Sequence, residues 1–160
     1  MDDLKKAFAY ALGLLARRDR SMLEMERKLR DRSYPAVVCG EIIARLTKSG
    51  YLDDRRFAER WAESAVRNGR GYGPRLRLEL LRKGIDREIV TEVVACVTAA
   101  YDEFDTLSAL VSEKFAGFDP VTASDREKRR IVAYLQRRGF SLAAIFNLFN
   151  ARDGSRSVSE

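Results

Sequence analysis

Histidine is absent from the 160 residues of this chain. That one absence excludes a Ser/His/Asp triad, a Cys/His dyad and most zinc sites. Cysteine is scarce. Cys39 and Cys96 stand far apart, each inside an apolar helical stretch, without the spacing of a metal-ligand or redox motif. Both are expected to be small core residues, since free cysteine is commonly buried. No uninterrupted apolar stretch approaches the roughly 20 residues that a membrane-spanning helix needs. No run of β-branched residues alternates with polar ones over a strand length, so the fold is expected to be all-α. The opening Met1-Asp2-Asp3-Leu4-Lys5-Lys6 has no basic start, apolar run or small-residue cleavage site of a secretory signal, which leads us to expect a cytoplasmic location.

Two features that imitate active-site chemistry have plainer readings. Asp53-Asp54 is the one conspicuous carboxylate pair, but neighbours at a helix start do not converge on one substrate atom, and helix capping explains them better. Gly69-Arg70-Gly71-Tyr72-Gly73-Pro74 is glycine-rich, yet it continues Arg-Leu where a phosphate-cradling loop needs Gly-Lys-Ser/Thr after a strand. Arg70 and Arg75 flank a helix N-terminus there and could meet an anion, though a tight interhelical turn accounts for the segment equally well. No catalytic residue, cofactor or metal is expected.

What the sequence does contain is repetition. An apolar residue, a Leu four positions later, a basic residue three beyond, then a small and a large apolar residue occur three times: Met25, Leu29, Arg32, Ser33, Tyr34; Leu76, Leu80, Lys83, Gly84, Ile85; Ile131, Leu135, Arg138, Gly139, Phe140. The Leu positions lie 51 and 55 residues apart. Spacing of this order marks one supersecondary unit used in tandem, each copy stacking on its neighbour. The boundaries read as repeats over 1–50, 51–100 and 101–152, with a flexible tail at 153–160 that has little apolar content.

Each repeat reads as three helices. Leu4, Ala7, Phe8, Ala11, Leu12 and Leu15 form the apolar stripe of a helix over 3–17. Ser21-Met22-Leu23-Glu24 is a capping box opening a helix to about Arg32, and a third helix runs from Pro35 to Ser49 before Gly50. The second repeat predicts helices over 54–68, from Pro74 to Lys83, and after Asp86 with Ile85 as a hydrophobic staple. The third begins near Glu103 with Phe104, Leu107, Leu110, Val111 and Phe115 facing inward, restarts at the capping box Ser124-Asp125-Arg126-Glu127, and ends in a helix capped by Ser141. Phe57 and Trp61 are expected in the core; Tyr72 fits either a core or a stacking role.

The net charge of +6 and pI near 9.5 rest more on Arg than on Lys, which suits planar recognition of phosphate or carboxylate. The basic residues recur with the repeat. Arg17, Arg18, Arg20, Arg27, Lys28, Arg30 and Arg32 crowd the middle helix of the first; Arg67, Arg70, Arg75, Arg77, Arg82 and Lys83 that of the second; Arg126, Lys128, Arg129, Arg130, Arg137 and Arg138 that of the third. Corresponding helices of successive units would align these into a basic strip for an anionic partner, although Glu24, Glu26, Glu79 and Glu127 neutralise part of the field.

With these residues placed, the chain resembles the bacterial RecX family of regulatory proteins. The resemblance is carried by Gly50-Tyr51-Leu52-Asp53-Asp54-Arg55-Arg56-Phe57-Ala58 with Trp61, by Gly71-Tyr72-Gly73, and by Leu80-Leu81-Arg82-Lys83-Gly84-Ile85. Leu14-Leu15-Ala16-Arg17-Arg18 with Ser21 and Lys28-Leu29, and Leu135-Gln136-Arg137-Arg138-Gly139-Phe140-Ser141, extend it to about residues 7–150. Ser33-Tyr34 departs from it, since the family's first unit often has Gly before an apolar residue. The resemblance implies a non-enzymatic monomer of three three-helix repeats in an elongated, curved array. It also implies binding to the RecA recombinase and the RecA–DNA filament, restraining ATP hydrolysis, strand exchange and co-protease function in recombination, DNA repair and the SOS response. Two other readings stand beside it: a helical protein that binds single- or double-stranded DNA without RecA, and an inert helical adaptor. No membrane partner is implied.

Overall fold

The computed structural model describes residues 2–154; the tail predicted at 153–160 lies mostly outside the described residues. Among them are nine helices and no strand: α1 Asp2–Leu15, α2 Met22–Asp31, α3 Ala36–Lys48, α4 Asp54–Arg67, α5 Pro74–Arg82, α6 Arg87–Ala100, α7 Glu103–Lys114, α8 Asp125–Arg137 and α9 Leu142–Gly154. The all-α tandem organisation expected from the periodicity is what the chain adopts. Two compact units divide it. The first holds residues 1–61 and 79–90, the second 62–78 and 91–160, so the division passes through α4, α5 and α6.

In the first unit α1, α2 and α3 close over Ala7, Ala11, Met25, Leu29, Cys39, Ile42 and Leu46, all buried. In the second, Leu107 and Val111 of α7, Ile131 and Leu135 of α8, and Ile145 and Leu148 of α9 are buried. These are the positions at three- and four-residue spacing that a helix places on one side. Cys96 corrects an expectation, being exposed where a core site was foreseen, because α6 turns it to the solvent side while Val93 and Val97 go inward. Phe104 likewise stays partly exposed, and Trp61 is only half-buried.

The repeated phrase is a helix stop. In each copy the residue after the small one donates its amide to the Leu carbonyl, Tyr34 to Leu29 at 3.3 Å and Ile85 to Leu80 and Phe140 to Leu135 at 3.2 Å. The small residue's own amide reaches the residue after the Leu: Ser33 to Arg30, Gly84 to Leu81 and Gly139 to Gln136. This pair of bonds is the Schellman closure, which satisfies helix-end carbonyls and demands a left-handed residue. Ser33, Gly84 and Gly139 have φ of 63°, 79° and 96°.

Glycine is needed at two of the three for a second reason. A Cβ on Gly84 would stand 2.6 Å from Leu23 Cβ, and one on Gly139 would stand 2.0 Å from the Tyr72 carbonyl oxygen. These close approaches form matching joints. In the first unit the buried Ser21 hydroxyl donates to the Lys83 carbonyl at 2.7 Å; in the second the Tyr72 amide donates to the Arg138 carbonyl at 2.8 Å. Ser21 and Tyr72 both lie eight residues before the Leu of their own phrase, and the accepting carbonyl belongs to the basic residue of the next. Ser33, the small residue of the first copy, is exposed.

Opposite signs are therefore expected at equivalent positions. Ser33→Gly removes left-handed strain of about 1–2 kcal/mol at some entropic cost and should stabilise by roughly 0.5–1 kcal/mol. Gly84→Ala should destabilise by roughly 2–4 kcal/mol, from the same strain plus overpacking against Leu23. Urea unfolding of the two variants measures both.

Candidate partner-binding surface

Arg32 and Arg138 are the C-caps of α2 and α8, and Lys83 directly follows α5, positions where a cation complements the helix dipole. In every copy its charge also lies over an aromatic ring. The Arg32 guanidinium is 4.7 Å from the Tyr10 centroid, Lys83 Nζ is 5.5 Å from that of Trp61 and 5.9 Å from that of Phe57, and the Arg138 guanidinium is 5.0 Å from that of Tyr134. Lys83 is committed further, to a 3.1 Å ion pair with Glu24 in which the two side chains are only 24% and 18% exposed. Arg138 donates to the Arg70 carbonyl at 3.1 Å. Of the residues foreseen as a basic strip, these two are tied into the joints.

Many of the others have partners too. Arg18 pairs with Glu24 at 3.0 Å, Lys28 with Asp31, Arg30 with Glu26, Arg67 with Glu63, and Arg82 with Glu79 at 3.3 Å. Arg70 donates to Ser64 Oγ and Arg77 to Thr91 Oγ1. Arg75 packs its stem beside Gly71 and Gly139. Exposed ion pairs of this kind contribute about 0–1 kcal/mol each, so they hold the side chains only loosely. Arg20 is half-buried with its Nε unpartnered; burial, then the charge of Arg18, lowers its affinity for the proton.

The charge left uncompensated is concentrated on α8. Arg126, Arg129, Arg130 and Arg137 are exposed and Lys128 half-buried, with no ion pair or hydrogen bond joining their side chains to another described residue. Arg17 and Arg27 are the counterparts in the first unit. The amphipathic pattern explains α8: Ile131 and Leu135 fix its inward face, and positions 126, 129, 130 and 137 fall on the other. Ser124 caps it by accepting from the Glu127 amide at 3.2 Å, but among the described residues the returning half of the foreseen capping box is absent.

Tyr72, left open by the sequence, is core: it is buried, stacks on Phe140 with centroids 5.4 Å apart, and donates its hydroxyl to the Tyr101 carbonyl at 2.8 Å. Among the described residues no group of three acidic or cysteine side chains is placed to hold a metal, and no helix is long and apolar enough to cross a membrane.

Three polar residues matter more than their sequence signal suggested. Ser21 and Glu24 form the foreseen capping box, with Ser21 Oγ accepting from the Glu24 amide at 3.2 Å. The box gives no hint that the same hydroxyl proton goes to Lys83, or that Glu24 gathers both Arg18 and Lys83. Of the two carboxylates foreseen as alternatives for the cap of α4, Asp53 fills the role by accepting from the Arg56 amide at 3.0 Å, and Asp54 accepts the Met22 amide of α2 at 2.8 Å. Burial pushes the Asp54 carboxyl up. At Glu24 burial also pushes upward, but hydrogen bonds and charge from Arg18 and Lys83 outweigh it and hold the carboxyl below the usual range.

A depressed carboxylate contributes stability that is fully present above its unfolded pKa, about 4.3, and is lost as pH falls through the lower folded value. Glu24→Gln should therefore cost about 1–3 kcal/mol at neutral pH by leaving Lys83 without its counter-ion. The gap to the native chain should close only below about pH 4.3, as unfolding titrations across acid pH would measure. A gap independent of pH down to full protonation would contradict the assignment.

Comparison with known proteins matches this architecture domain by domain. Family models described as the first, second and third three-helix domains of RecX match residues 7–46, 53–94 and 101–149. The regulatory protein RecX of Trichlorobacter lovleyi is 38% identical over 139 residues, covering 87% of this chain and 90% of that protein. That of Syntrophotalea carbinolica is 31% identical over 144 residues, covering 90% and 94%. The crystal structure of RecX from Lactobacillus salivarius superposes with a TM-score of 0.70 at 23% identity, over 95% of this chain and 97% of that one, a likeness of fold. A second RecX crystal structure gives a TM-score of 0.75 at 17% identity, over 93% of this chain and 74% of that one. With the three domains in order and relatives matched over nearly their whole length, this chain belongs to the RecX family of regulatory proteins.

Proposed function

We propose that this protein binds the RecA–DNA filament and restrains RecA, limiting ATP hydrolysis, strand exchange and co-protease activity in recombination, DNA repair and the SOS response. The observation that carries the reading is membership of the RecX family through all three of its domains. The role is that of a non-catalytic cytoplasmic monomer, needing no cofactor, built from repeats over 1–50, 51–100 and 101–152. The basic residues of the middle helices supply the contacts, and α8 leads them because among the described residues its cations have no partner to give up on binding.

A second reading, direct binding to DNA without RecA, draws on the same feature, since unpaired arginines suit phosphate as well as carboxylate. The two separate in one assay. RecA ATPase is followed on single-stranded DNA at concentrations saturating for RecA while this protein is titrated in. Inhibition there supports filament binding; tight binding to bare DNA without inhibition supports the second reading.

Within that assay Arg129→Glu with Arg130→Glu should raise the concentration for half-inhibition roughly tenfold, while thermal unfolding stays at the native temperature. Lys83→Glu should behave differently: it sets a carboxylate beside Glu24 and should destabilise by about 2 kcal/mol. Equal inhibition by the α8 variant and the native chain would remove α8 from the contact surface.

A further inference from the structure

At the C-terminal end of α1 lies a cavity of about 310 Å³ lined by Tyr10, Gly13, Leu14, Arg17 and Arg32. All five belong to the first unit, and none of the joint contacts passes through it. Its chemistry is uneven in a way that points to a ligand. One wall is aromatic, with the Arg32 guanidinium held over the Tyr10 ring at 4.7 Å and Tyr34 tilted against that ring with centroids 6.5 Å apart. Arg17 is exposed beside it, and neither arginine has a carboxylate partner among the described residues. No acidic side chain lines the space. Dipole complementation at the helix end accounts for positive charge here but not for the ring or the opening.

Gly13 is the second clue. It sits in the last turns of α1, where glycine costs about 1 kcal/mol against alanine. No internal close approach requires it, since a Cβ there would meet nothing within 4 Å. Its effect is to leave the cavity floor as bare backbone, open to a flat group from outside.

Tyrosine, stacked guanidinium and an unpaired arginine are the groups that hold an unstacked base on its face and a phosphate at its edge. We propose that this cavity is a binding site for a nucleoside phosphate, with the base against the Tyr10–Arg32 pair over Gly13 and the phosphate on Arg17. The ligand chemistry is the same whether it is one unit of a single strand or a free nucleotide. Arg17 is shared with the basic residues proposed for the filament contact, whereas Tyr10 and Gly13 are not, so a failure of the site read at those two positions would leave the proposed function untouched.

The test uses the full chain and two probes, a fluorescently labelled short oligothymidylate followed by anisotropy and thymidine monophosphate titrated into nitrogen-15-labelled protein. Tyr10→Leu should weaken oligothymidylate binding about five- to a hundredfold. Arg17→Ala should weaken it with a salt slope smaller by about 0.7. Gly13→Leu fills the cavity with a better helix former, so it should bind more weakly while melting higher, which separates occlusion from unfolding. Shift of the Gly13 amide by thymidine monophosphate identifies a free-nucleotide site, and shift by oligothymidylate alone identifies a strand site; either supports the proposal. Absence of a shift with both probes, native affinity in Arg17→Ala and Gly13→Leu, or equal affinity for an abasic strand would overturn it.

Discussion

The last carbonyls of α5 and α8 have no partner within their own helices, and each finds one outside, at the start of the middle helix of the preceding repeat. The Ser21 hydroxyl meets the Lys83 carbonyl in one unit, and the Tyr72 amide meets that of Arg138 in the other. A helix end can be approached this closely only if the residue after the cap has no Cβ, and the left-handed turn that closes the helix asks for the same residue. Gly84 and Gly139 answer both demands at once. Burial of Leu80 and Leu135, the aromatic seats of Lys83 and Arg138, and the Glu24 and Asp54 contacts are arranged around these two points.

The same rule explains why the three repeats are not copies. Ser33 ends α2 with the Schellman closure, is exposed and carries the strain of a side chain at positive φ, whereas Gly84 and Gly139 stand against Leu23 and Tyr72. The third repeat differs at its other end. Eight residues before Leu135 stands Glu127, already inside α8, which begins at Asp125. Where the first two repeats offer Ser21 and Tyr72 to a following helix end, the third offers a continued helix bearing arginines.

Much of this was legible in residue order. The phrase named the core Leu positions and the helix stops correctly, since a Leu on the apolar stripe and a Gly after a basic cap are local requirements of any helix end. Ser21, Ser124 and Ser141 were legible as caps for the same reason. What periodicity could not show is where a hydroxyl proton or a carbonyl goes between helices. Lys83 looked like a surface cation and is an interior counter-ion to Glu24; Tyr72 looked ambiguous and is core; Asp54 caps a helix 32 residues upstream in sequence. Cys96 and Phe104 lie on helices with more apolar residues than one face can bury, so the stripe alone did not fix which would be left outside. The foreseen basic residues divide accordingly: Lys83 and Arg138 are held in the joints, while the α8 cations, Arg17 and Arg27 have no ion pair or hydrogen bond among the described residues.

The joints are the central physical claim, and one amide reports on them without any mutation of the surface. Tyr72 sits in a glycine-rich turn before α5, where a peptide amide would exchange with solvent freely unless its hydrogen bond to Arg138 persists. Native-state hydrogen exchange should find the Tyr72 amide protected to the level of the α8 core amides at Ile131 and Leu135, and should find that protection lost in Gly139→Ala. Exchange of Tyr72 at the rate of an exposed turn in the native protein, or undiminished protection in Gly139→Ala, would contradict the account.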